Sequence, residues 1–140
     1  MKERHIRIGV VTAWPEDDWH SGRLLEACGR GAEAVALDPA ALAADVGEGA
    51  AAVLADGAPA ATFDAFVLAR GLGRSGDPDL QFEIYRALEG AGAIVVNRID
   101  ALLAAQDKFR TSWLLARRGV ATPRAAVAQT AADAERALAS

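Results

Sequence analysis

The feature that most constrains this chain is an alternation. Short apolar, β-branched runs recur, and each is followed by a stretch with helical punctuation. Ile6–Thr12, Ala34–Leu37, Phe63–Ala69 and Ala93–Val96 are the runs. Apolar runs this short, bounded by turn residues, read as strands buried on both faces of a parallel sheet. Between the first two lies a helical stretch, Trp19–Arg30, with Leu24, Leu25 and Cys28 spaced to face a core and Gly29 and Gly31 at its end. Strand, helix and strand joined by short connections imply a right-handed crossover. The expected fold is therefore α/β, a parallel sheet with helices on both faces.

The remaining elements follow from local signals. Asp77-Pro78 reads as an N-cap and first helical residue, with Leu80, Ile84 and Leu88 on one face of the helix, Phe82 and Tyr85 alongside, and Gly90 and Gly92 closing it. Asp56-Gly57 between Ala52–Ala55 and Ala58–Ala61 signals a small hairpin. The alanine-rich Ala40–Val46 reads as a short helix. Ile99–Ala105 is a short apolar helix. Asp107 then caps another, Lys108–Arg118, with Phe109, Trp113 and Ala116 as its stripe and Leu114 widening it toward Leu115; Gly119 and Pro123 stop it. Arg124–Thr130 reads as a strand with no partner in the chain, and Thr130 as the cap of a last helix, so this region resembles the opening of a domain that is cut short.

Composition excludes several functions. Of 140 residues 52% are hydrophobic and 24% charged, which suits a globular domain; the net charge of −4 gives no field for nucleic acid or an acidic membrane. No apolar run is long enough to span a bilayer, and a lone Cys28 allows no internal disulfide, so a cytoplasmic location is expected. Two histidines and one cysteine make no structural zinc set, and no Ser-His-Asp or paired-acid arrangement suggests hydrolysis.

Two places carry chemistry. Gly71–Gly76 matches G-x-G-x-x-G, but it follows the third major strand instead of the first, and Asp77 and Asp79 occupy the helix start where a pyrophosphate would sit. The better reading is a loop at the carboxyl end of a strand, the usual ligand edge of an open α/β sheet, where Arg70 and Arg74 can meet a carboxylate or phosphate or simply be solvated. Trp14 and Trp19 flank the first strand's end as cleft walls or core covers. His20 and Ser21 sit near that end as substrate contacts or first-turn residues, and Asn97 as a ligand or loop-capping residue. The other place is Lys108. A cation in the first turn of a helix opposes the helix dipole, and a bound phosphate would remove the conflict; the plainer alternative is a surface pair with Asp107.

Asp107-Lys108, Thr111, Leu115, Gly119, Val120 and Pro123 resemble the Asp-Lys helix that opens the ATP-grasp fold. Leu37-Asp38-Pro39, the Asp64–Arg70 strand with its glycine-containing loop, and Val95-Val96-Asn97 extend the resemblance, in order, to RimK-type α-L-glutamate ligases over nearly the whole chain. The resemblance implies a Rossmann-like preATP-grasp domain over residues 1–105 and the truncated first elements of an ATP-grasp domain over 106–140. It implies ATP and Mg2+ as cofactors, glutamate and an acceptor carboxylate as substrates, and Lys108 as an ATP-phosphate contact. Arg70, Arg74, Ser21 and Asn97 would line the substrate cleft, and no metal ligand and no catalytic residue would lie in this stretch. The second phosphate lysine, the Gly-rich lid and the metal set of such enzymes are not in the sequence, so the 140 residues alone are expected to be inactive. A homo-oligomer is left open. Two other readings stand beside this one: a non-catalytic module binding an anionic metabolite, and a docking partner for a separate ATP-grasp chain.

Overall fold

The computed structural model describes residues 5–69 and 74–139. The chain divides into two compact units, Met1–Ile99 and Asp100–Ser140.

In the first unit, β1 (Arg7–Val11), β2 (Glu33–Leu37), β6 (Ala65–Leu68) and β7 (Ile94–Val96) form a parallel sheet in the order β2-β1-β6-β7. The register aligns Gly9 with Val35 and Phe66, and Phe66 with Val95. β1 lies between two partners, and its adjacent residues Val10 and Val11 are both fully buried, so the sheet is covered on both faces there. At the β7 edge only Val95 is buried; Ile94 and Val96 face solvent. Gly9 is needed at the centre. A Cβ on it would stand 2.7 Å from Leu37 Cδ1 and 3.0 Å from Phe66 Cδ1, both buried side chains.

Helix α1 (Trp19–Gly29) packs on β1 and β2 with Leu24, Leu25 and Cys28 half-buried, and α2 (Pro78–Gly90) packs on β7 and a second sheet. Asp77 caps α2 by accepting the N–H groups of Asp79 and Leu80 at 2.9 and 3.3 Å, an arrangement worth about 1 kcal/mol. The buried line of α2 runs through Gln81, Tyr85 and Leu88. Leu80, expected on that face, is 65% exposed. Gln81, one residue on, is turned inward instead, its amide held by the preceding loop.

The second sheet is antiparallel, β3 (Leu42–Gly47), β4 (Ala50–Ala55) and β5 (Ala58–Pro59). The β4–β5 hairpin turns at Asp56-Gly57, both at positive φ (51° and 74°), as an Asp-Gly turn requires. The helix expected over Ala40–Val46 is not formed. A single 3-10 turn covers Pro39–Ala41, and β3 then pairs with β4 over six residues. That ladder overrides the helical preference of its alanines, which is worth only tenths of a kcal/mol per residue.

The second unit holds most of α3 (Ile99–Gln106), then α4 (Lys108–Ala116) and α5 (Ala131–Ala139). Asp107 caps α4 by accepting the Arg110 N–H at 2.8 Å. Thr111 Oγ1 donates to the Ala104 carbonyl at 2.6 Å and ties α4 to α3. Gly119, at φ 74°, ends the helix, and the Val120 N–H returns to the Leu115 carbonyl at 3.1 Å. Thr130 caps α5 through the Asp133 N–H at 3.2 Å. The strand expected over Arg124–Thr130 is not one. Its residues have no ladder partner among the described residues, and an extended segment without a neighbour is not a sheet strand. No described residue from Asp100 onward is buried, and Trp113, Leu114, Leu115, Val120, Val127 and Leu138 all face solvent. Among the described residues no helix is long and apolar enough to cross a membrane.

Candidate functional site

In the parallel sheet the chain leaves β1 for β2 on one side, while β6 and β7 add on the other. The strand order therefore reverses between β1 and β6. The crevice beyond their carboxyl ends is the place where open α/β sheets take ligands. Two segments frame it, the loop after β1 and residues 74–77 before α2.

The β1 side is fixed by a buried polar chain. Thr12 ends the strand, 1% exposed, and its N–H donates to the Leu37 carbonyl at 2.9 Å. Asp18 caps α1, and its Oδ2 accepts both the Ser21 N–H (2.8 Å) and the Ser21 hydroxyl (2.7 Å). Ser21 has thereby used its only proton, so in the 2.7 Å contact between the two hydroxyls Thr12 is the donor. Thr12 Oγ1 in turn accepts the Trp14 N–H at 3.2 Å. The chain Trp14, Thr12, Ser21, Asp18 thus runs donor to acceptor and ends on a carboxylate. It leaves the buried hydroxyls satisfied and locks the backbone that carries Trp14.

The β6 side is held from α2. Gln81, 4% exposed, donates Nε2 to the Arg74 carbonyl at 2.7 Å. Ser75 and Gly76 turn the loop at positive φ, 61° and 152°, and a Cβ on Gly76 would come within 3.1 Å of Gln81 Nε2. The two sides meet in one contact. The Arg74 guanidinium lies over the Trp14 ring, 4.4 Å from its centroid. One turn below Gln81, Tyr85 is fully buried, and its hydroxyl has no hydrogen-bond partner among the described residues. Burial pushes the Tyr85 phenol well above its usual range, and the Asp38 charge adds to the shift, so it stays protonated.

The residues singled out in the sequence fall in different places. Ser21 is at the crevice but fully buried, with its hydroxyl engaged by Thr12 and Asp18. Arg74 is exposed on the crevice rim, stacked on Trp14. Arg70 lies outside the described residues. Asn97 is exposed at the carboxyl end of β7, one strand further along, after a cis Val96–Asn97 peptide. Beyond it Arg98 pairs with Glu89 at 3.5 Å, and Glu89 accepts the Ile99 N–H at 2.8 Å. Trp19 is 72% exposed and stacks edge-on with His20, away from any core role.

Lys108 belongs to the second unit. It is exposed in the first turn of α4, and it makes no ion pair among the described residues. The bland pairing with Asp107 is not formed, because that carboxylate caps the helix through Arg110. Lys108 therefore stands at the positive end of the α4 dipole beside the capping Asp107 carboxylate, a position that a bound anion would favour further.

Sequence reading missed Thr12, Asp18 and Gln81. Asp18 three residues before Ser21 at the head of an amphipathic stretch was the available signal for the cap. Nothing local announced Gln81, whose partner lies in a loop seven residues back. Among the described residues there is no cluster of three or more His, Cys, Asp or Glu side chains that could hold a metal ion. The chain matches no protein-family model, and no curated protein sequence matches it significantly.

Proposed function

We propose that the chain is the N-terminal part of an ATP-dependent carboxylate–amine ligase similar to the RimK-type, ATP-grasp enzymes. The observation that carries this reading is the contrast between the units. The first has its own core and a polar crevice at its switch point. Among its described residues the second has none buried, and α4 within it starts at an Asp107 cap with a Lys108 that makes no ion pair among the described residues. Helices of nine residues are marginal alone in water and take their stability from packing. A unit of this kind is suited to be the first part of a larger domain. On this reading residues 1–105 are the preATP-grasp region and 106–140 the first ATP-grasp elements.

In the reaction proposed, a carboxylate oxygen of the acceptor attacks the γ-phosphorus of ATP, giving an acylphosphate and ADP. An amine, that of glutamate, then attacks the acyl carbon, and phosphate leaves as the amide forms. Lys108 contributes a fixed positive charge beside the ATP phosphates, where negative charge must be screened for the attacking carboxylate to approach. The first unit contributes one wall of the acceptor cleft at its carboxyl edge, through Trp14, Arg74 and Asn97. Ser21 acts there only by fixing the loop of Trp14.

The reading frame beyond Ser140 tests the proposal. It is expected to continue into a second phosphate-binding lysine, a glycine-rich lid and a carboxylate/Asn metal set; a stop codon at that point sinks it. In the continuing protein, Lys108→Ala is expected to raise the Kd for ATP by about tenfold or more, the range of one charge-assisted contact. The 140-residue chain alone is expected to release no phosphate from ATP with magnesium and glutamate. A second reading is a non-catalytic module that binds an anionic metabolite. It is favoured by the fact that the crevice is built within the first unit by itself.

A further inference from the structure

We propose that Trp14 and Arg74 form a carboxylate-binding subsite at the crevice between β1 and β6. Its biological ligand, the acceptor's carboxylate, rests on the ligase reading above; the binding itself does not.

Three features build the subsite. The guanidinium is placed over the indole, 4.4 Å from its centroid, so its position is set before any ligand arrives. Among the described residues the N–H groups of Arg74 meet no acceptor: the ion pairs there use other cations, and no described residue accepts a hydrogen bond from the Arg74 side chain. Both backbones beneath the pair are held by buried polar side chains, Trp14 through Thr12 (3.2 Å) and Arg74 through Gln81 (2.7 Å). An arginine fixed at the ligand edge of a sheet, with its donors unused, is a fork waiting for a planar acceptor.

The surrounding acids narrow the ligand class. Asp18 carries its charge into the Ser21 N–H and hydroxyl, and Asp77 into the Asp79 and Leu80 N–H groups. Asp79 stands in the first turn of α2. Asp18, Asp77 and Asp79 outnumber Arg74, so the net local charge is negative and disfavours two negative charges on one group, as on phosphate, more than the single charge of each carboxylate. Trp14 is half-buried, and its indole offers an apolar surface for the carbon chain attached to that carboxylate.

The test uses intrinsic fluorescence. The chain has three tryptophans. Trp19 and Trp113 are 72% and 56% exposed, so replacing both with Phe leaves the core intact and Trp14 as the only indole. Titration of that variant with glutarate, at fixed ionic strength and without nucleotide, is expected to give a saturable change in Trp14 emission. Glutaramide, the uncharged analogue, is expected to give none. Arg74→Gln is expected to weaken glutarate binding by about tenfold or more, with Arg74→Lys between the two. Circular dichroism checks that each variant is folded, and Arg74 is exposed, so little change is expected. No saturable change with glutarate, or one that Arg74→Gln leaves intact, overturns the subsite. Inorganic phosphate binding as tightly as glutarate overturns the carboxylate assignment. Because no ATP is present, a positive result together with a stop codon after Ser140 would sink the ligase reading and leave the subsite standing.

Discussion

Tyr85→Phe is expected to stabilise the first unit. The Tyr85 side chain is fully buried, and its hydroxyl is a donor with no partner among the described residues. An unsatisfied buried polar group costs roughly 1–3 kcal/mol relative to its hydrated state in the unfolded chain. Phenylalanine keeps the ring and removes the oxygen. The gap left behind has about the size of one atom, and its lost contacts offset part of the gain. The net expectation is about 1 kcal/mol in favour of the variant. For a unit of 99 residues that is a rise in Tm of about 4–8 °C. The same residue predicts a pH dependence. In the unfolded chain the phenol titrates near its usual value of about 10, whereas burial raises it in the folded state. Below pH ~10 both states are protonated and nothing changes. Above it the unfolded state releases a proton that the folded state keeps, so stability falls as pH rises, by up to about 1.4 kcal/mol per pH unit from this group. Tyr85→Phe lacks that loss, so its advantage widens in alkali. The assay is thermal unfolding of both proteins at neutral pH and above pH ~10, with the tyrosinate absorbance band followed in parallel. Since Tyr85 is the chain's only tyrosine, that band reports this one side chain. The reasoning is refuted if the variant is less stable than the parent, or if tyrosinate forms near pH 10 while the protein is still folded. Either result would mean that the hydroxyl has a partner or reaches water.

Two further substitutions test the frame of the crevice. Gly9→Ala puts a Cβ against Leu37 and Phe66 in the central strand and is expected to cost about 1–3 kcal/mol in chemical denaturation; an unchanged midpoint would show that both side chains can yield. Ser21→Ala removes the link between Thr12 and Asp18. It is expected to cost about 1–3 kcal/mol and to weaken glutarate binding while Arg74 remains in place; full stability and unchanged binding would show that the polar chain does not hold the loop of Trp14.

What the sequence determined by itself was local. The helix starts at Asp77-Pro78, Asp107 and Thr130, the stop at Gly119 and the turn at Asp56-Gly57 were legible, because caps and turns act within a few residues. The parallel strands were legible because short β-branched runs between helical stretches have few other uses. Tertiary structure decided the rest. Ala40–Val46 holds a strand because β4 pairs with it, and Arg124–Thr130 does not, as none of the described residues forms a ladder with it. The inward face of α2 was set by what lay beneath it, so Gln81 turned in and Leu80 out. Arg74 meets Trp14 sixty positions away in sequence, although neither residue carries a local mark of the other. Local rules mark caps, turns and most element starts; which donors meet which acceptors, and which side chains meet at a crevice, depends on contacts between distant segments that no sequence window contains.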